Sequence, residues 1–232
     1  MDFPPFPGFR PEAFAFLSDL KEHNDREWFK PRKATFDDEL KWPLQCLIAD
    51  TSRQARERGL PLQGDPKKSA FRIYRDTRFS KNKAPYKTHV SGVLSRSGSK
   101  KEPGGLYVHI EPGNVFAGAG FWAPETPLLR QWRTRMTDDP EAFLHMVEML
   151  EGHGLTMSHR DTLKRMPRGF EAAADTPIAD YLKWKSFFVM KEFGDAAPQS
   201  PAFTEQVVDI IEQSLPLLTF GWEIMDDAPI AG

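Results

Sequence analysis

The sequence predicts an α+β fold: a single domain with a largely antiparallel sheet flanked by N-terminal and C-terminal helices. Apolar residues recur at helical spacing over residues 11–58, and the spacing changes to strand-like alternation over residues 71–117. Helical spacing then returns after Pro124, apart from a short strand-like segment at 186–190. Runs of helices separated from a run of strands are typical of the α+β class.

The size and composition of the chain limit its class. With 232 residues, 40% of them hydrophobic, the chain can form one sizeable core, so we expect one domain over residues 1–232. The only cysteine, Cys46, cannot form an intramolecular disulfide. No targeting leader opens the chain, and no apolar run approaches the roughly 20 residues of a membrane span. These features indicate a cytoplasmic protein that does not insert into a membrane.

Proline and capping residues mark the first helices. A helix should begin at Pro11, because proline is favoured in a first helical turn. Either Asn24 or Asp25 should cap the next turn. A long amphipathic helix is predicted over residues 31–58, and Pro43 should either kink it or start a second helix.

Strand-like alternation predicts the sheet. The segments 71–74, 90–94 and 106–110 should be strands, and the turn residues 112–114 should join the last of them to 115–117 as a hairpin. Side chains on a strand alternate between its two faces. On the third strand, Leu106, Val108 and Ile110 should therefore face the core, and Tyr107, His109 and Glu111 should share the opposite face.

The second half of the sequence should be mainly helical. Helical spacing predicts one helix over 124–136 and another over 140–150, followed by a strand at 186–190. One closing helix is expected from Pro201, with its apolar stripe extending to Leu218.

Positive charge is concentrated in one part of the chain. Residues 67–101 contain eleven basic residues and one acid, although the whole chain has a net charge of −2. Residues 1–100 have a net charge of +7 and residues 101–232 a net charge of −9. A protein that coats nucleic acid needs a larger total positive charge, so any nucleic-acid binding should be weak. A local site for an anion is compatible with this charge distribution.

The basic segment has the residue types that bind phosphate. Arginine forms bidentate hydrogen bonds with phosphate or carboxylate, lysine adds a point charge, and aromatic rings offer faces to bases or sugars. We therefore expect a phosphorylated or otherwise anionic ligand here, with Asp76 organising the arginines and with Tyr86 and Trp28 as candidate walls. A structural alternative is that the charges only solvate strand edges. The predicted ligand-binding cations are Arg72, Arg75, Arg78, Lys81, Lys83 and Lys87.

Two histidines lie close to the basic segment in the predicted sheet. If their strands are neighbours, the imidazoles of His89 and His109 could meet, which would allow acid–base chemistry or form half of a metal site. The spacing of the histidines and the lone cysteine matches no metal-binding signature, so neither a metal nor a cofactor is expected. Whether the protein is an enzyme stays open. The alternatives are a phosphoester-type hydrolase that uses Asp76, His89 and His109, or a protein-interaction module that docks an acidic partner.

Six stretches of the chain resemble one known family. They are residues 24–29, 72–88, 105–110, 118–122, 163–170 and 182–187. Together they resemble the domain-of-unknown-function 2461 family of uncharacterised bacterial and fungal proteins, from about Phe9 to about Trp222. The resemblance implies a single cytoplasmic domain in which 72–88 and 107–110 are signature segments, and it implies no reaction, cofactor or catalytic residue. Phe36 departs from the tyrosine expected there.

Overall fold

Helices and a five-stranded sheet make up the computed structural model, which describes residues 3–227. The helices are α1 (Pro11–Glu22), α2 (Arg26–Phe29), α3 (Lys33–Phe36), α4 (Trp42–Glu57), α5 (Thr126–Asp138), α6 (Pro140–Gly152), α7 (Ala179–Lys183), α8 (Phe203–Gln213) and α9 (Leu215–Asp226). The strands are β1 (Val90–Ser95), β2 (Gly105–Ile110), β3 (Val115–Phe121), β4 (Met157–Ser158) and β5 (Phe187–Phe193). The predicted α+β class with an antiparallel sheet is confirmed. Within residues 3–227, no helix has both the length and the apolar character needed to cross a membrane.

Contacts within the chain group the described residues into two compact units. The first contains residues 3–102, 106–117 and 192–210, and the second contains residues 103–105, 118–191 and 211–227. All the residues that the sequence predicts for ligand binding lie in the first unit. One domain over residues 1–232 stays a prediction.

The sheet has the strand order β1-β2-β3-β5-β4. The predicted hairpin joins β2 to β3, and the Asn114 N–H closes its turn by donating to the Glu111 carbonyl at 2.9 Å. Gly113 has a φ of +73° in this turn, a left-handed conformation that favours glycine. The strand predicted at 186–190 corresponds to β5, and Met157 of β4 is paired with Val189 in antiparallel register.

One predicted strand is wrong: residues 71–74 form no named strand and are connected to their neighbours by isolated bridges. Ala70 is bridged to Gly92, and Tyr74 is bridged to Tyr86. Ala70 and Tyr74 are four positions apart, whereas their partners, Tyr86 and Gly92, are six positions apart. The two additional residues prevent a continuous ladder, as a bulge does.

The side chains of β2 alternate between the two faces of the strand, as predicted. Leu106, Val108 and Ile110 are buried among apolar residues. Tyr107 and His109, which alternate with them, lie on the other face of the strand. That face carries the site described below.

The N-terminal helices begin largely where the sequence indicates. Helix α1 starts at Pro11, and Asp25 caps α2 by accepting a hydrogen bond from the Trp28 N–H at 2.8 Å. The predicted long helix is interrupted by a π-helical turn at Asp37–Lys41, directly before α4. Pro43, the second residue of α4, has no N–H to donate, so the regular hydrogen-bond ladder cannot pass through this position.

The closing helix is divided in two, which corrects the prediction of one helix from Pro201 to Leu218. Helix α8 ends at Gln213 and α9 begins at Leu215, with Pro216 in its first turn. Because proline lacks an N–H, it is tolerated in a first helical turn but disrupts a helix interior. The Ser214 hydroxyl donates to the Ile211 carbonyl at 3.1 Å and so satisfies one carbonyl at the break.

Candidate functional site

Two histidines and a glutamate meet on the polar face of β2. His89 directly precedes β1, His109 is the fifth residue of β2, and Glu111 directly follows β2. Each residue offers one possible ligand atom, a ring nitrogen or a carboxylate oxygen, and these three atoms lie within 4.8 Å of one another. We call His89, His109 and Glu111 the histidine cluster.

The sheet explains why these three residues converge. His109 and Glu111 are two positions apart, so their side chains leave the chain on the same face. Strand β1 neighbours β2 in the sheet, and this brings the ring of His89 to 4.1 Å from the ring of His109, measured between centroids. The structure thus brings together the two imidazoles that the sequence suggested as possible neighbours.

The ring of His109 is held from several sides. Its Nδ1 is 3.1 Å from the Tyr107 hydroxyl, and its Nε2 is 3.3 Å from Glu111 Oε2. Phe116 stacks on the ring at 4.7 Å with an angle of 11° between the planes. Because an ionised carboxylate can only accept, a neutral His109 carries its proton on Nε2 and accepts the Tyr107 hydroxyl at Nδ1.

Glu111 is held ionised by its neighbours. The Thr88 hydroxyl donates to Oε1 at 2.5 Å, and the Asn114 amide donates to Oε2 at 3.2 Å. Burial by itself would raise the pKa of Glu111, but the hydrogen bonds from Thr88, Asn114 and His109 outweigh it and lower the pKa below its usual value. The cluster therefore contains one negative charge at neutral pH.

Both imidazoles are neutral at pH 7. Burial, followed by the neighbouring His109, lowers the pKa of His89 to about 4, although Glu111 opposes this shift. Burial also lowers the pKa of His109. Neutral imidazoles retain a lone pair, which a proton acceptor or a metal ligand requires.

The protein is expected to lose stability in acid through His89. The unfolded chain protonates this residue near pH 6.5, whereas the folded chain resists protonation down to about pH 4. The contribution of His89 to stability is therefore complete above pH 6.5 and is lost as the pH falls towards 4, by at most about 3 kcal/mol. Urea melts at pH 7.5 and pH 4.5, in buffers without divalent metals, measure the free energy of unfolding. Between these two pH values, His89→Gln should lose less stability than the wild-type protein. Equal losses in both proteins would contradict this.

Two cations lie over the ring of Phe71, and the charge of a third acts on one of them. The ammonium nitrogens of Lys87 and Lys100 each lie 5.2 Å from the centre of the ring, and Lys100 Nζ donates to the Ala70 carbonyl at 3.1 Å. Burial lowers the pKa of Lys87, and the charges of Arg72 and Lys100 lower it further. We call Arg72, Lys87 and Lys100 the cationic cluster. Within residues 3–227, none of its members forms an ion pair with a carboxylate.

The cationic cluster adjoins both the histidine cluster and a surface cavity. The charge of Lys87 acts on His89 and His109, whose pKa values it lowers. Lys100 also lines an open cavity of about 580 Å³. Other residues around this cavity, which we call the loop cavity, include Lys68, Ser97, Gly98, Ser99 and Lys101.

The remaining predicted cations lie on the loop between residues 74 and 86. Arg78 forms an exposed ion pair with Asp76 at 2.7 Å and holds the pKa of that carboxyl below its usual value. Arg75 and Lys83 donate to backbone carbonyls of the same loop, at 3.2 and 3.0 Å, and Lys81 is exposed. Most of these charges therefore interact within the loop, and Asp76 is bound to Arg78.

The two predicted aromatic walls are used in packing. Tyr86 is 5% exposed, and its ring stacks on Phe29 at 4.1 Å. The Asn24 amide bonds both the N–H and the carbonyl of Tyr86, at 3.0 and 3.1 Å. Trp28 is half-buried, and the guanidinium of Arg32 lies 4.6 Å from the centre of its ring.

Several residues of this site are not among those that the sequence predicts. Strand alternation places Glu111 on the same face as His109, so the sequence contains a signal for it, although the predicted site residues do not include it. Phe71 and Lys100 have no comparable signal, because an irregular segment and a loop supply them. No metal-binding spacing exists because the candidate ligands come from positions in or next to two different strands.

Comparisons with known proteins identify the family and add no closer relative. Searches among curated proteins and among solved structures find no significant match. A family model matches residues 12–220, a range that includes both clusters. The chain belongs to the family described as a conserved hypothetical protein, DUF2461.

Proposed function

We propose that this protein binds a phosphorylated or otherwise anionic ligand at the cationic cluster, and that it does so in the cytoplasm. The observation that carries the proposal is the pair of ammonium groups over one ring, those of Lys87 and Lys100, with the charge of Arg72 acting on Lys87. Within residues 3–227, neither lysine forms an ion pair with a carboxylate. Lys87 is half-buried, and a cation withdrawn from water without a counter-charge is costly. A bound anion would supply that counter-charge.

The side chains in this region suit a phosphate-bearing ligand. Arg72 can form two parallel hydrogen bonds with phosphate oxygens, while Lys87 and Lys100 act as point charges. The rings of Phe71 and Tyr107 lie 6.0 Å apart and offer an aromatic surface beside the cations. A ligand that joins phosphate to a base or a sugar would use both features.

The loop cavity offers room for more than one phosphate group. Lys68 and Lys101 add two cations to it, and Lys100 belongs to both the cavity and the cationic cluster. Asp65 also lines the cavity, and its carboxylate accepts the N–H groups of Lys67 and Lys68 at 2.9 and 2.8 Å. These bonds hold the carboxylate against the backbone, so they limit its repulsion of an anion.

Removal of two cations should strongly weaken anion binding. We expect pyrophosphate to bind the wild-type protein and to bind Lys87→Gln/Lys100→Gln at least about a hundredfold more weakly, because each charge-assisted contact contributes roughly 1.5–3 kcal/mol. Isothermal titration calorimetry at fixed ionic strength measures the difference, with inorganic phosphate and citrate as further probes.

The matched control removes the same charge from the exposed loop. Arg78→Gln/Lys81→Gln should bind pyrophosphate almost as well as the wild-type protein, since Arg78 is already paired with Asp76 and Lys81 is exposed. Equal weakening by both double variants would indicate a general electrostatic field instead of a site. Absence of binding to the wild-type protein by all three anions would refute the proposal.

A further inference from the structure

We propose that the histidine cluster binds one divalent transition-metal ion, such as Zn²⁺, through His89, His109 and Glu111. A set of two histidines and one carboxylate leaves a coordination position open for water or for a ligand atom, as catalytic metal sites do. The metal proposal has its own evidence and does not depend on anion binding.

Distances within the histidine cluster are close to those of a tetrahedral site. Zinc–nitrogen bonds of about 2.0–2.1 Å place neighbouring ligand atoms about 3.3 Å apart. Nε2 of His109 and Oε2 of Glu111 are already 3.3 Å apart, and one ligand atom from each of the three residues lies within 4.8 Å of the other two. Small side-chain rotations would therefore be sufficient to form the site.

His89 provides the second observation. Its ring forms no hydrogen bond with any residue in the range 3–227, although it is half-buried and lies 4.1 Å from the ring of His109. The lone pair of this neutral ring is therefore not used by another side chain and is available to a ligand. A metal ion shared with His109 would give the ring of His89 a partner.

The surroundings support the ligands in the way that metal sites require. Ligating histidines commonly use their second ring nitrogen to bond a nearby group, which fixes the orientation of the ring. Here the Tyr107 hydroxyl is 3.1 Å from His109 Nδ1, and it can accept the Nδ1 proton when Nε2 binds a metal. Thr88 and Asn114 likewise fix the carboxylate of Glu111.

The cationic cluster has a consequence for this metal. Glu111 neutralises only one of the two charges of a divalent ion, and the charge of Lys87 acts on both histidines. An anion that occupies the open coordination position would offset the excess positive charge. Metal and anion should therefore bind with positive coupling, each raising the affinity of the other by the same factor.

The test uses the 232-residue chain after treatment with a chelator, titrated with Co²⁺ or Zn²⁺ without phosphate. We expect one equivalent of metal to bind, and we expect His89→Gln and Glu111→Gln each to weaken its affinity by more than about tenfold. Competition with a chromophoric chelator gives the affinities, and the visible absorption of Co²⁺ reports the coordination. His109 is buried, so we leave it unchanged.

His145→Gln is the matched control. His145 Nδ1 lies 3.9 Å from Glu148 on an exposed face of α6, so this variant removes a histidine beside a glutamate outside the cluster. It should bind metal as the wild-type protein does. Unchanged affinity in His89→Gln and Glu111→Gln, or equal weakening in the control, would overturn the proposal.

Two further measurements make the test independent of the folding of the variants and of the anion site. If wild-type protein gives no Co²⁺ absorption band and no stoichiometric binding, the proposal fails without any variant. Lys87→Gln/Lys100→Gln should still bind the metal in the absence of phosphate. Metal binding can therefore be absent while pyrophosphate binding is present, and pyrophosphate binding can be absent while metal binding is present. The two proposals can thus fail separately.

Discussion

Val108→Asp should unfold the protein or cost more than about 4 kcal/mol of stability. Val108 is 3% exposed and lies between Leu106 and Ile110 on the core face of β2. A carboxylate at this position would lose its hydration without gaining a partner, and such burial is among the most destabilising of single changes. Because whole domains are stable by about 5–15 kcal/mol, this loss is close to global unfolding. Urea melts followed by circular dichroism measure it.

Met190→Asp is the control for the effect of introducing an aspartate into a strand without burying it. Met190 lies in β5 and is 41% exposed, so its replacement carries the same poor strand propensity without burying a charge. We expect a cost of about 1 kcal/mol or less. Similar costs for Val108→Asp and Met190→Asp would mean that Val108 does not face the core, and the assignment of Tyr107, His109 and Glu111 to one polar face would then be wrong.

The arrangement of β2 shows what sequence alternation can predict. Side chains in a strand change face at every residue, so the order of apolar and polar residues was sufficient to separate Val108 from His109. The turn residues 112–114 then identified the hairpin, because glycine in a left-handed conformation is a local requirement. Both predictions depend on neighbouring residues alone, and both are confirmed.

The incorrect strand prediction, and the positions of side chains that the sequence does not indicate, depend on interactions that local spacing does not contain. Residues 71–74 alternate like a strand, but two additional residues between their partners prevent a ladder. Tyr86 was proposed as a wall because it lies in the basic segment, whereas its ring stacks on Phe29, far away in sequence. Lys100 lies in a loop, and only the folded structure brings its ammonium group to the ring of Phe71. Composition located the basic region, and the structure shows which of its cations converge.

Asp50→Ala should cost about 3 kcal/mol or more, because this carboxylate joins separate parts of the first unit. Asp50 is 3% exposed in α4, where it accepts the Phe6 N–H at 2.9 Å and the Thr204 hydroxyl at 3.2 Å and forms an ion pair with Arg53. Alanine would leave a buried donor on Phe6 and another on Thr204 without an acceptor, and each unsatisfied group costs about 1–3 kcal/mol. Thermal and urea melts measure the change.

Asp180→Ala is the control for losing an ion pair of the same spacing. Asp180 pairs with Lys183 three residues later, as Asp50 pairs with Arg53, but the side chain of Asp180 is 87% exposed. Exposed pairs of this kind contribute about 0–1 kcal/mol. Asp50→Ala should also speed hydrogen exchange at the Phe6 amide, because its acceptor is removed, whereas Asp180→Ala should leave that amide protected. The prediction would be contradicted if the two variants lose equal stability and the Phe6 amide stays protected from exchange in both. Asp50 would then not stabilise the packing of the N-terminal segment against α4.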